Sequence, residues 1–350
     1  GGLCPGLNDV IRAIVRSLRL HYGVKQVYGF RFGYEGLAPG LGHTPLELTP
    51  ESVHRIHESG GSILGSSRGP QDPAEMVDYL KALDVGLLFA IGGDGTLRGA
   101  RAISEEAGRR GLKIGVIGVP KTIDNDVSFV QRTFGFETAV TAARHATDAA
   151  NAEAEAARNG IGLVKLMGRD SGFIAAYSAL VNNHVNFCLV PEVPFTLERF
   201  LSALQQRLER RSHAVIVVAE GAGQDLMATS GERDASGNIK YGDIGIFLRD
   251  AIGEHFKRSG MEITIKYIDP SYTIRSVPAT AHDAAFCLLL GQSAVHAGLS
   301  GRTNMLVSFW NHQFTHVPIS LAVSARKKID PQDALWTSVV TATGQPWDMR

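Results

Sequence analysis

The sequence predicts an α/β fold of two doubly wound, mostly parallel sheet domains. Apolar runs of strand length alternate along the chain with segments of helical periodicity, and glycine-rich turns join them. This repeated order of strand, turn and helix is typical of parallel sheets that carry helices on both faces. The 350 residues also exceed one typical domain. We therefore expect two domains with the active site in the cleft between them.

The individual elements follow from local patterns. Apolar residues between Leu7 and Leu18 recur on one helix face, and further helices are predicted from about residue 97 and over 139–157, 171–181 and 279–297. Short apolar runs predict strands over residues 85–91, 113–119, 161–167, 214–219, 263–267 and 304–309. The segment 223–241 is polar and rich in Gly and Ser, and we interpret it as a surface excursion.

Composition excludes several classes of function. Lys and Arg together number 35, as do Asp and Glu, whereas a general nucleic-acid binder needs a basic excess. No apolar run approaches the roughly 20 residues that cross a bilayer, so we expect no membrane partner. The cysteines Cys4, Cys188 and Cys287 are far apart, which disfavours disulfides and zinc and favours a reducing, cytoplasmic location. The chain begins at Gly1 within a glycine-rich turn, and we expect that an N-terminal piece is missing.

Two glycine-rich turns are candidates for phosphate binding. Residues 1–8 (GGLCPGLN) open the first helix, and residues 92–96 (GGDGT) follow an apolar strand. Glycine lets the backbone approach a ligand closely, and a helix N-terminus offers unpaired N–H groups. A tight turn before a helix is the alternative for both. Asp94 is a candidate magnesium ligand, because Mg²⁺ prefers oxygen ligands and often shares phosphates, or else a helix cap.

Other polar clusters also follow strands, at the edge where parallel sheets bind ligands. Residues 120–126 (PKTIDND) carry two carboxylates, one a candidate general base and the other a metal ligand or orienting group; a polar turn is the alternative. In 167–172 (MGRDSG), Arg169 is a candidate to neutralise a transferring phosphoryl group, or a surface cation. Glu220 ends another strand and is placed to bind sugar hydroxyls, or to lie in solvent.

The segment 266–275 (KYIDPSYTIR) brings two cations and a phenol together, a set that suits a phosphomonoester dianion. Scattered surface charge is the alternative. The segment 65–70 contains a single cation and is interpreted as a loop. The sequence lacks the P-loop pattern GxxxxGK[ST] and the HExxH zinc pattern. These absences disfavour P-loop enzymes and zinc proteases.

Taken together, these motifs resemble the 6-phosphofructokinase family over residues 1 to about 322. The resemblance rests on the ordered series GGLCPGLN, GGDGT, PKTIDND, MGRDSG, PEVPF, AEGAG and KYIDPSYTIR. It implies a two-domain α/β enzyme that phosphorylates fructose 6-phosphate at O1, uses Mg²⁺ and forms a homo-oligomer, either a dimer or a tetramer. The larger, donor-binding domain would comprise 1–135 plus about 277–300. The smaller, sugar-phosphate domain would comprise 136–276 plus about 301–350.

The same resemblance assigns roles to individual residues. It places the following residues at the donor ATP, with Mg²⁺ on Asp94: Gly2, Arg68, Gly69, Gly93, Asp94, Gly95 and Thr96. It places these residues at the sugar phosphate: Thr122, Ile123, Asp124, Met167, Gly168, Arg169, Glu220, Lys266, Tyr272 and Arg275. Asp124 is the implied general base for the O1 hydroxyl, Asp126 supports the base or the magnesium site, and Arg169 steadies the transferring group.

Two positions bear on the choice of donor. In the resembled family, pyrophosphate users typically carry Asp and Lys at the positions of Gly95 and Lys121. Glycine leaves room for an α-phosphate and nucleoside, which favours ATP, whereas Lys121 keeps pyrophosphate as the alternative. Gly160 and Tyr272 stand where the short bacterial enzymes carry Arg and His. The resemblance therefore implies that the 6-phosphate site is rebuilt in this chain.

Two further hypotheses compete with a phosphofructokinase. One is a non-catalytic regulatory subunit on the same fold, which should have lost its base or its metal carboxylate, yet Asp94, Asp124 and Arg169 are present. The other is a nicotinamide-nucleotide or lipid kinase, which would explain GGDGT but leaves PKTIDND, MGRDSG and the segment 266–275 without a role.

Overall fold

A computed structural model describes residues 2–228, 231–232 and 239–350. These residues divide into two compact units. The first unit comprises 2–138 and 275–327, and the second comprises 139–228, 231–232, 239–274 and 328–350. Part of the segment 223–241 that we interpreted as a surface excursion lies outside the described residues; its described part contains a short 3₁₀ turn, Gln224–Leu226.

Helices and strands alternate through most of the chain. The helices are α1 (Leu7–Arg16), α2 (Pro73–Ala82), α3 (Asp94–Arg109), α4 (Phe136–Ala156), α5 (Phe173–Val181), α6 (Leu197–Arg211), α7 (Ile244–Ser259), α8 (Ser271–Arg275), α9 (Ala281–Leu299), α10 (Ile319–Ala322) and α11 (Ala334–Thr343). The strands are β1 (Tyr28–Gly29), β2 (Leu46–Glu47), β3 (Leu87–Gly92), β4 (Gly115–Pro120), β5 (Gly160–Leu166), β6 (Phe187–Leu189), β7 (His213–Ala219), β8 (Thr264–Ile268), β9 (Met305–Trp310) and β10 (Gln313–Pro318).

The main sheet of the first unit has the strand order β10–β9–β4–β3. β3 and β4 are parallel, with Leu87 opposite Gly115, and β4 is parallel to β9. β10 folds back antiparallel on β9 across a tight turn, and the sequence analysis did not predict it. Because β9 and β10 complete this sheet, residues 301–327 lie in the first unit, which corrects our expectation that they belong to the second.

The sheet of the second unit has the order β6–β7–β5–β8, and all its pairs are parallel. Its central strands β5 and β7 are almost entirely buried, as continuous apolar runs predict for strands covered on both faces. Phe200 of α6 and Phe256 of α7 pack into its core. Asp243 caps the N-terminus of α7, and Gly260 ends that helix with φ of 71°.

The predicted α/β class and its mostly parallel sheets are confirmed. Strand ends are displaced by a few residues at most; for example, the strand expected at 85–91 is β3. Within the described part of the chain, no helix has the length and apolar character needed to cross a membrane.

Candidate active site

The turn between β3 and α3 places the glycine-rich motif 92–96 at the N-terminus of a helix. Gly93 is the N-cap of α3 in an extended conformation, and Asp94 begins the helix. A Cβ atom on Gly92 would lie 2.2 Å from Oγ1 of Thr96, so only glycine fits there. The Tyr34 hydroxyl donates to the Thr96 carbonyl at 2.5 Å and fixes the first helical turn. The N-terminus of a helix offers such a turn N–H groups and a positive dipole end for an anion.

Asp94 and Gly95 occupy the first turn of α3. Oδ2 of Asp94 lies 3.0 Å from Nε of Arg98, and the Asp94 side chain remains 35% exposed. Nη2 of Arg98 also donates to the Val323 carbonyl at 2.8 Å, which holds the pair in place. A Cβ atom on Gly95 would meet no atom within 4 Å. The surface above Gly95 is therefore open.

Lys121 ties two of the predicted turns together. It is only 8% exposed, and its Nζ donates to the carbonyl of Gly2 at 2.7 Å. Its backbone N–H donates to the Gly92 carbonyl at 2.9 Å. A Cβ atom added to Gly2 would lie 3.5 Å from Nη1 of Arg275, so the Arg275 side chain is close to Gly2. The tertiary structure thus brings together Gly2, the end of β3, Lys121 and Arg275, which are separated along the chain.

The segment 65–70 lies on the surface of the first unit. Arg68 is exposed, and Gly69 has φ of 109°, a conformation that favours glycine. The Ser67 hydroxyl donates to the Phe32 carbonyl and anchors the segment to the residues after β1. This anchoring shows that the segment is more than an unattached loop.

The segment after β4 is a chain of hydrogen bonds around Asp124. The Thr122 hydroxyl accepts from the Asp124 backbone N–H at 3.1 Å and donates to Oδ1 of Asp126 at 2.7 Å. Asn125 has φ of 55°, and its side chain accepts from the backbone N–H of Thr133 at 3.1 Å. Asp126 is therefore linked through the Thr122 hydroxyl to the backbone of Asp124.

Two further residues stabilise the same segment: Ile123 by burial in the core and Lys327 by hydrogen bonds. Ile123 is 6% exposed, so its side chain belongs to the core. Nζ of Lys327 donates to the carbonyls of Val130 and Gln131, and its backbone N–H donates to the Asp126 carbonyl at 2.8 Å. Burial lowers the pKa of Lys327 to about 8, although the nearby Asp126 charge acts in the opposite direction. No sequence motif pointed to Lys327, because it lies about 200 residues from its partners.

In the second unit, the loops after β5 and β7 pack directly on each other. Gly168 has φ of 123°. A Cβ atom on Gly221 would lie 1.7 Å from the carbonyl oxygen of Arg169, so the two backbones touch. Nη2 of Arg169 donates to the Ile239 carbonyl at 2.7 Å, and its guanidinium lies 5.6 Å from the centre of the Tyr241 ring. Met167 and Gly168 lie in the same turn.

Glu220 lies beside this contact. Burial raises the pKa of Glu220 above its usual range, while the positive charges of Arg169 and Lys165 act to lower it and the Asp269 charge raises it. The backbone N–H of Arg169 also stabilises the carboxylate. Glu220 is thus a partly buried carboxylate next to an arginine, a suitable acceptor for hydroxyl groups.

The three residues of the predicted phosphomonoester site occupy different surroundings. Lys266 forms an ion pair with Glu153 at 3.6 Å, with both side chains about half exposed. Tyr272 and Arg275 lie three residues apart on α8, a spacing that places them on one face of the helix. The Tyr272 side chain is 75% exposed. Tyr272 and Arg275 are therefore neighbours on one short helix, whereas Lys266 lies on β8.

Glu192 is a structural carboxylate to which the sequence analysis gave no role, although it lies in the quoted PEVPF motif. Both of its oxygens accept from the Gly172 backbone N–H at 3.0 Å, and Oε1 also accepts from that of Ile329. Burial raises the pKa of Glu192. The residue fixes the turn that leads into α5, directly after the MGRDSG motif.

The described residues form no cluster of three or more His, Cys, Asp or Glu side chains that would hold a metal ion. Asp94 is a single carboxylate, which fits Mg²⁺ when phosphate oxygens and water supply the remaining ligands. The three cysteines all lie within the described residues; they are buried and form no disulfides.

Comparison with known proteins assigns the family. The phosphofructokinase family model matches residues 1–298. The chain is 51% identical to the ATP-dependent 6-phosphofructokinase of Borreliella burgdorferi over all of its own length and 80% of the relative, and 52% identical to that of Trypanosoma brucei brucei over 97% and 70%.

Solved structures agree on the fold. A pyrophosphate-dependent phosphofructokinase from Marinobacter aquaeolei superposes with a TM-score of 0.80 at 21% identity, covering 99% of this chain and 90% of that one. The Saccharomyces cerevisiae phosphofructokinase gives a TM-score of 0.74 at 23% identity, covering 98% and 46%. Because the family model matches most of the chain and relatives are about 50% identical over nearly all of its length, this chain belongs to the phosphofructokinase family.

Proposed function

We propose that this chain is an ATP-dependent 6-phosphofructokinase. It transfers the terminal phosphoryl group of ATP to O1 of D-fructose 6-phosphate and yields fructose 1,6-bisphosphate, a step of glycolysis. Relatives that are 50–52% identical to this chain over the aligned residues are named ATP-dependent 6-phosphofructokinases. The observation in the structure that carries the choice of donor is the open space above Gly95.

Gly95 and Lys121 argue in different directions for the donor, and the structure supports ATP. The open surface at Gly95 leaves room for an α-phosphate and nucleoside, where an Asp side chain would add bulk and negative charge. Lys121, the residue that keeps pyrophosphate as the alternative, donates to the Gly2 carbonyl. That bond supports a role for Lys121 in holding the donor turns together. The pyrophosphate-dependent structural neighbours share too little sequence to bear on the donor.

The donor residues are proposed to act mainly by positioning. Backbone N–H groups of Gly93, Gly95 and Thr96, which lie at the start of α3, would bind phosphate oxygens. Gly2 borders the same turns, and Arg68 and Gly69 are proposed to complete the ATP site. Asp94 would hold Mg²⁺, which when bound supplies neutralisation of phosphate charge.

Asp124 is the proposed general base. Thr122 accepts from its backbone N–H, and Asp126 accepts from Thr122, so these hydrogen bonds hold the backbone at Asp124 in place. The base accepts the O1 proton as oxygen attacks phosphorus. Ile123 would contribute only its backbone, because its side chain is in the core.

The sugar phosphate is proposed to bind to the loops after β5 and β7 and to α8. Met167, Gly168 and Arg169 would contact the sugar, and Arg169 would also stabilise charge on the transferring group. Glu220 would accept hydrogen bonds from sugar hydroxyls. Tyr272 and Arg275 would bind the 6-phosphate; Lys266 is a weaker candidate because it pairs with Glu153.

A coupled assay for fructose 1,6-bisphosphate tests the proposal, with Mg²⁺, fructose 6-phosphate and either ATP or pyrophosphate. We expect turnover with ATP only. Turnover with pyrophosphate only would show that Lys121 decides the donor. If the folded protein shows no turnover with either donor, a non-catalytic regulatory subunit would be favoured.

Arg275→Ala provides a second test. The Arg275 guanidinium lies near Gly2 of the proposed donor site, yet Arg275 shares α8 with Tyr272 of the proposed sugar-phosphate site. We expect the KM for fructose 6-phosphate to rise and that for ATP to stay within about twofold. A change in the ATP KM only would move Arg275 to the donor site.

Two coarser proposals complete the function. We propose a homo-oligomer, dimer or tetramer, which sedimentation measures directly. We also propose a cytoplasmic location, because three buried thiols suit a reducing compartment.

A further inference from the structure

Lys165 is a buried cation that the proposed chemistry does not use. It lies near the end of β5, two residues before Met167, and its side chain is 12% exposed. Its Nζ lies 2.7 Å from Oδ2 of Asp243 and 2.9 Å from Oδ2 of Asp269. One ammonium group thus bridges two carboxylates from different elements.

Asp269 connects this bridge to the start of α8. β5 and β8 pair as far as Val164 and Ile268, so Lys165 and Asp269 are the next residues beyond the ladder. Oδ1 of Asp269 accepts from the backbone N–H of Ser271 at 3.1 Å and from its hydroxyl. Asp269 therefore directs the chain from β8 into the helix that carries Tyr272.

Asp243 anchors the other side of the bridge. Its Oδ1 accepts from the backbone N–H of Ile246 at 3.1 Å and from the Tyr267 hydroxyl at 3.1 Å. Burial raises the pKa of both carboxylates, but the Lys165 hydrogen bond brings the pKa of Asp243 below its usual range, and hydrogen bonds from Ser271 and Lys165 do the same for Asp269. The bridge is thus ionised at neutral pH on both sides.

Glu220 lies within the field of the same charges. The groups that face it are Arg169 and Lys165, which favour its ionised form, and Asp269, which disfavours it. Loss of the Lys165 charge would remove one of the two cations that favour ionised Glu220 and would leave the opposing charge of Asp269 in place. Buried ion pairs of this kind contribute little to net folding stability. The role to test is therefore whether the bridge sets the conformation at the start of α8 and the electrostatic environment of Glu220.

We propose that Lys165 is a positioning residue for fructose 6-phosphate: by bridging Asp243 and Asp269 it fixes the start of α8. Its positive charge also favours the ionised form of Glu220. This inference rests on the proposed function. It predicts an effect on the sugar phosphate and not on the donor, because Lys165, Asp269 and Glu220 all border the proposed sugar loops.

The experiment compares Lys165→Met, Lys165→Arg and Asp269→Asn with the wild type. Arg258→Met is the matched control, since Arg258 pairs with Glu254 on the exposed surface of α7. Steady-state kinetics with each substrate varied would be measured from pH 5.5 to 9, with melting temperatures in parallel.

We expect Lys165→Met and Asp269→Asn to raise the KM for fructose 6-phosphate about tenfold, the scale of one weakened charge-assisted hydrogen bond. The KM for ATP should stay within about twofold. Lys165→Met should also move the acid limb of kcat/KM for fructose 6-phosphate to higher pH, because Glu220 loses a cation that lowers its pKa. Asp269→Asn should move it to lower pH, because an opposing negative charge is removed. Lys165→Arg should largely restore both properties.

Equal rises in both KM values, or an unmoved acid limb, would overturn the inference and leave Lys165 a structural residue. If Lys165→Met does not fold, Asp269→Asn decides the question, because it retains the Lys165–Asp243 pair. Failure of the wild type to phosphorylate fructose 6-phosphate would refute the proposed function instead, and is recognised before any variant is compared.

Discussion

Gly95→Asp tests how this chain chooses its phosphoryl donor. The substitution places a carboxylate in the first turn of α3, where a Cβ atom meets nothing within 4 Å. The folded state should therefore accept it without a clash. Replacing a helical glycine by alanine contributes about 0.5–1 kcal/mol, but Asp gains less because its helix propensity is only just above that of glycine. An acidic residue at a helix N-terminus contributes about 0.3–1 kcal/mol. We expect the free energy of unfolding to be unchanged or to rise by about 1 kcal/mol.

The expected loss of ATP turnover follows from charge. A carboxylate about 4 Å from one phosphate charge is repelled by about 1 kcal/mol in water and about 4 kcal/mol at the effective dielectric of a protein surface. This range corresponds to a loss of about 5-fold to 1,000-fold in kcat/KM for ATP. The loss should appear chiefly in the KM for ATP, with the KM for fructose 6-phosphate little changed.

Gly95→Asn is the matched control, because it adds the same bulk without charge. Kinetics of the wild type and both variants with ATP, together with urea unfolding, separate charge from volume. If Gly95→Asp and Gly95→Asn lose ATP turnover equally, bulk and not charge sets the donor. If both retain full turnover, Gly95 does not face the donor and the reasoning is refuted.

Three further predictions concern the base, a backbone contact and a buried lysine. Asp124→Ser should lower kcat by about 10²–10⁴-fold at an unchanged melting temperature; kcat above one tenth of wild type would remove Asp124 from the base role. Gly221→Ala places a Cβ 1.7 Å from the Arg169 carbonyl oxygen and should lower kcat/KM for fructose 6-phosphate by about 10²-fold. Gly253→Ala, in open space on α7, should leave kcat/KM unchanged, and equal losses in the two variants would contradict the contact. Folding lowers the pKa of Lys327 from 10.5 to about 8, so the unfolded chain binds this proton more tightly than the folded chain does. The free energy of unfolding of the wild type should therefore rise relative to that of Lys327→Met as pH increases from 8 to 10. Urea unfolding at both pH values measures this, and a constant difference would show that Lys327 titrates normally.

Much of the fold and many site segments follow from local sequence patterns. Apolar runs located β3, β4, β5, β7 and β9 to within a few residues, and the first three of these runs stop at glycine or proline. The polar motifs lie just after these strands because backbone direction in a parallel sheet sends every carboxyl end to the same edge. β10 escaped prediction because its residues are mostly partly exposed and lack a continuous apolar run.

Contacts between distant residues could not be predicted in this way. The Lys121 side chain bonds to Gly2, which is 119 residues away, and the sequence offered Lys121 only as a donor-specificity residue. Likewise, residues 301–327 join the first unit because β9 pairs with β4, a choice that strand propensity does not specify. The bridge from Lys165 to Asp243 and Asp269 also spans long separations.

The sequence by itself determined the α/β class, the order of the motifs and the residue types able to bind phosphate, because these depend on local periodicity and side-chain chemistry. The tertiary structure decided which of those residues touch: Asp126 through Thr122 to Asp124, Gly221 on Arg169, and Lys165 between two carboxylates. The physical reason is that packing and the pairing of buried charges depend on distances in space, which separation along the chain does not encode.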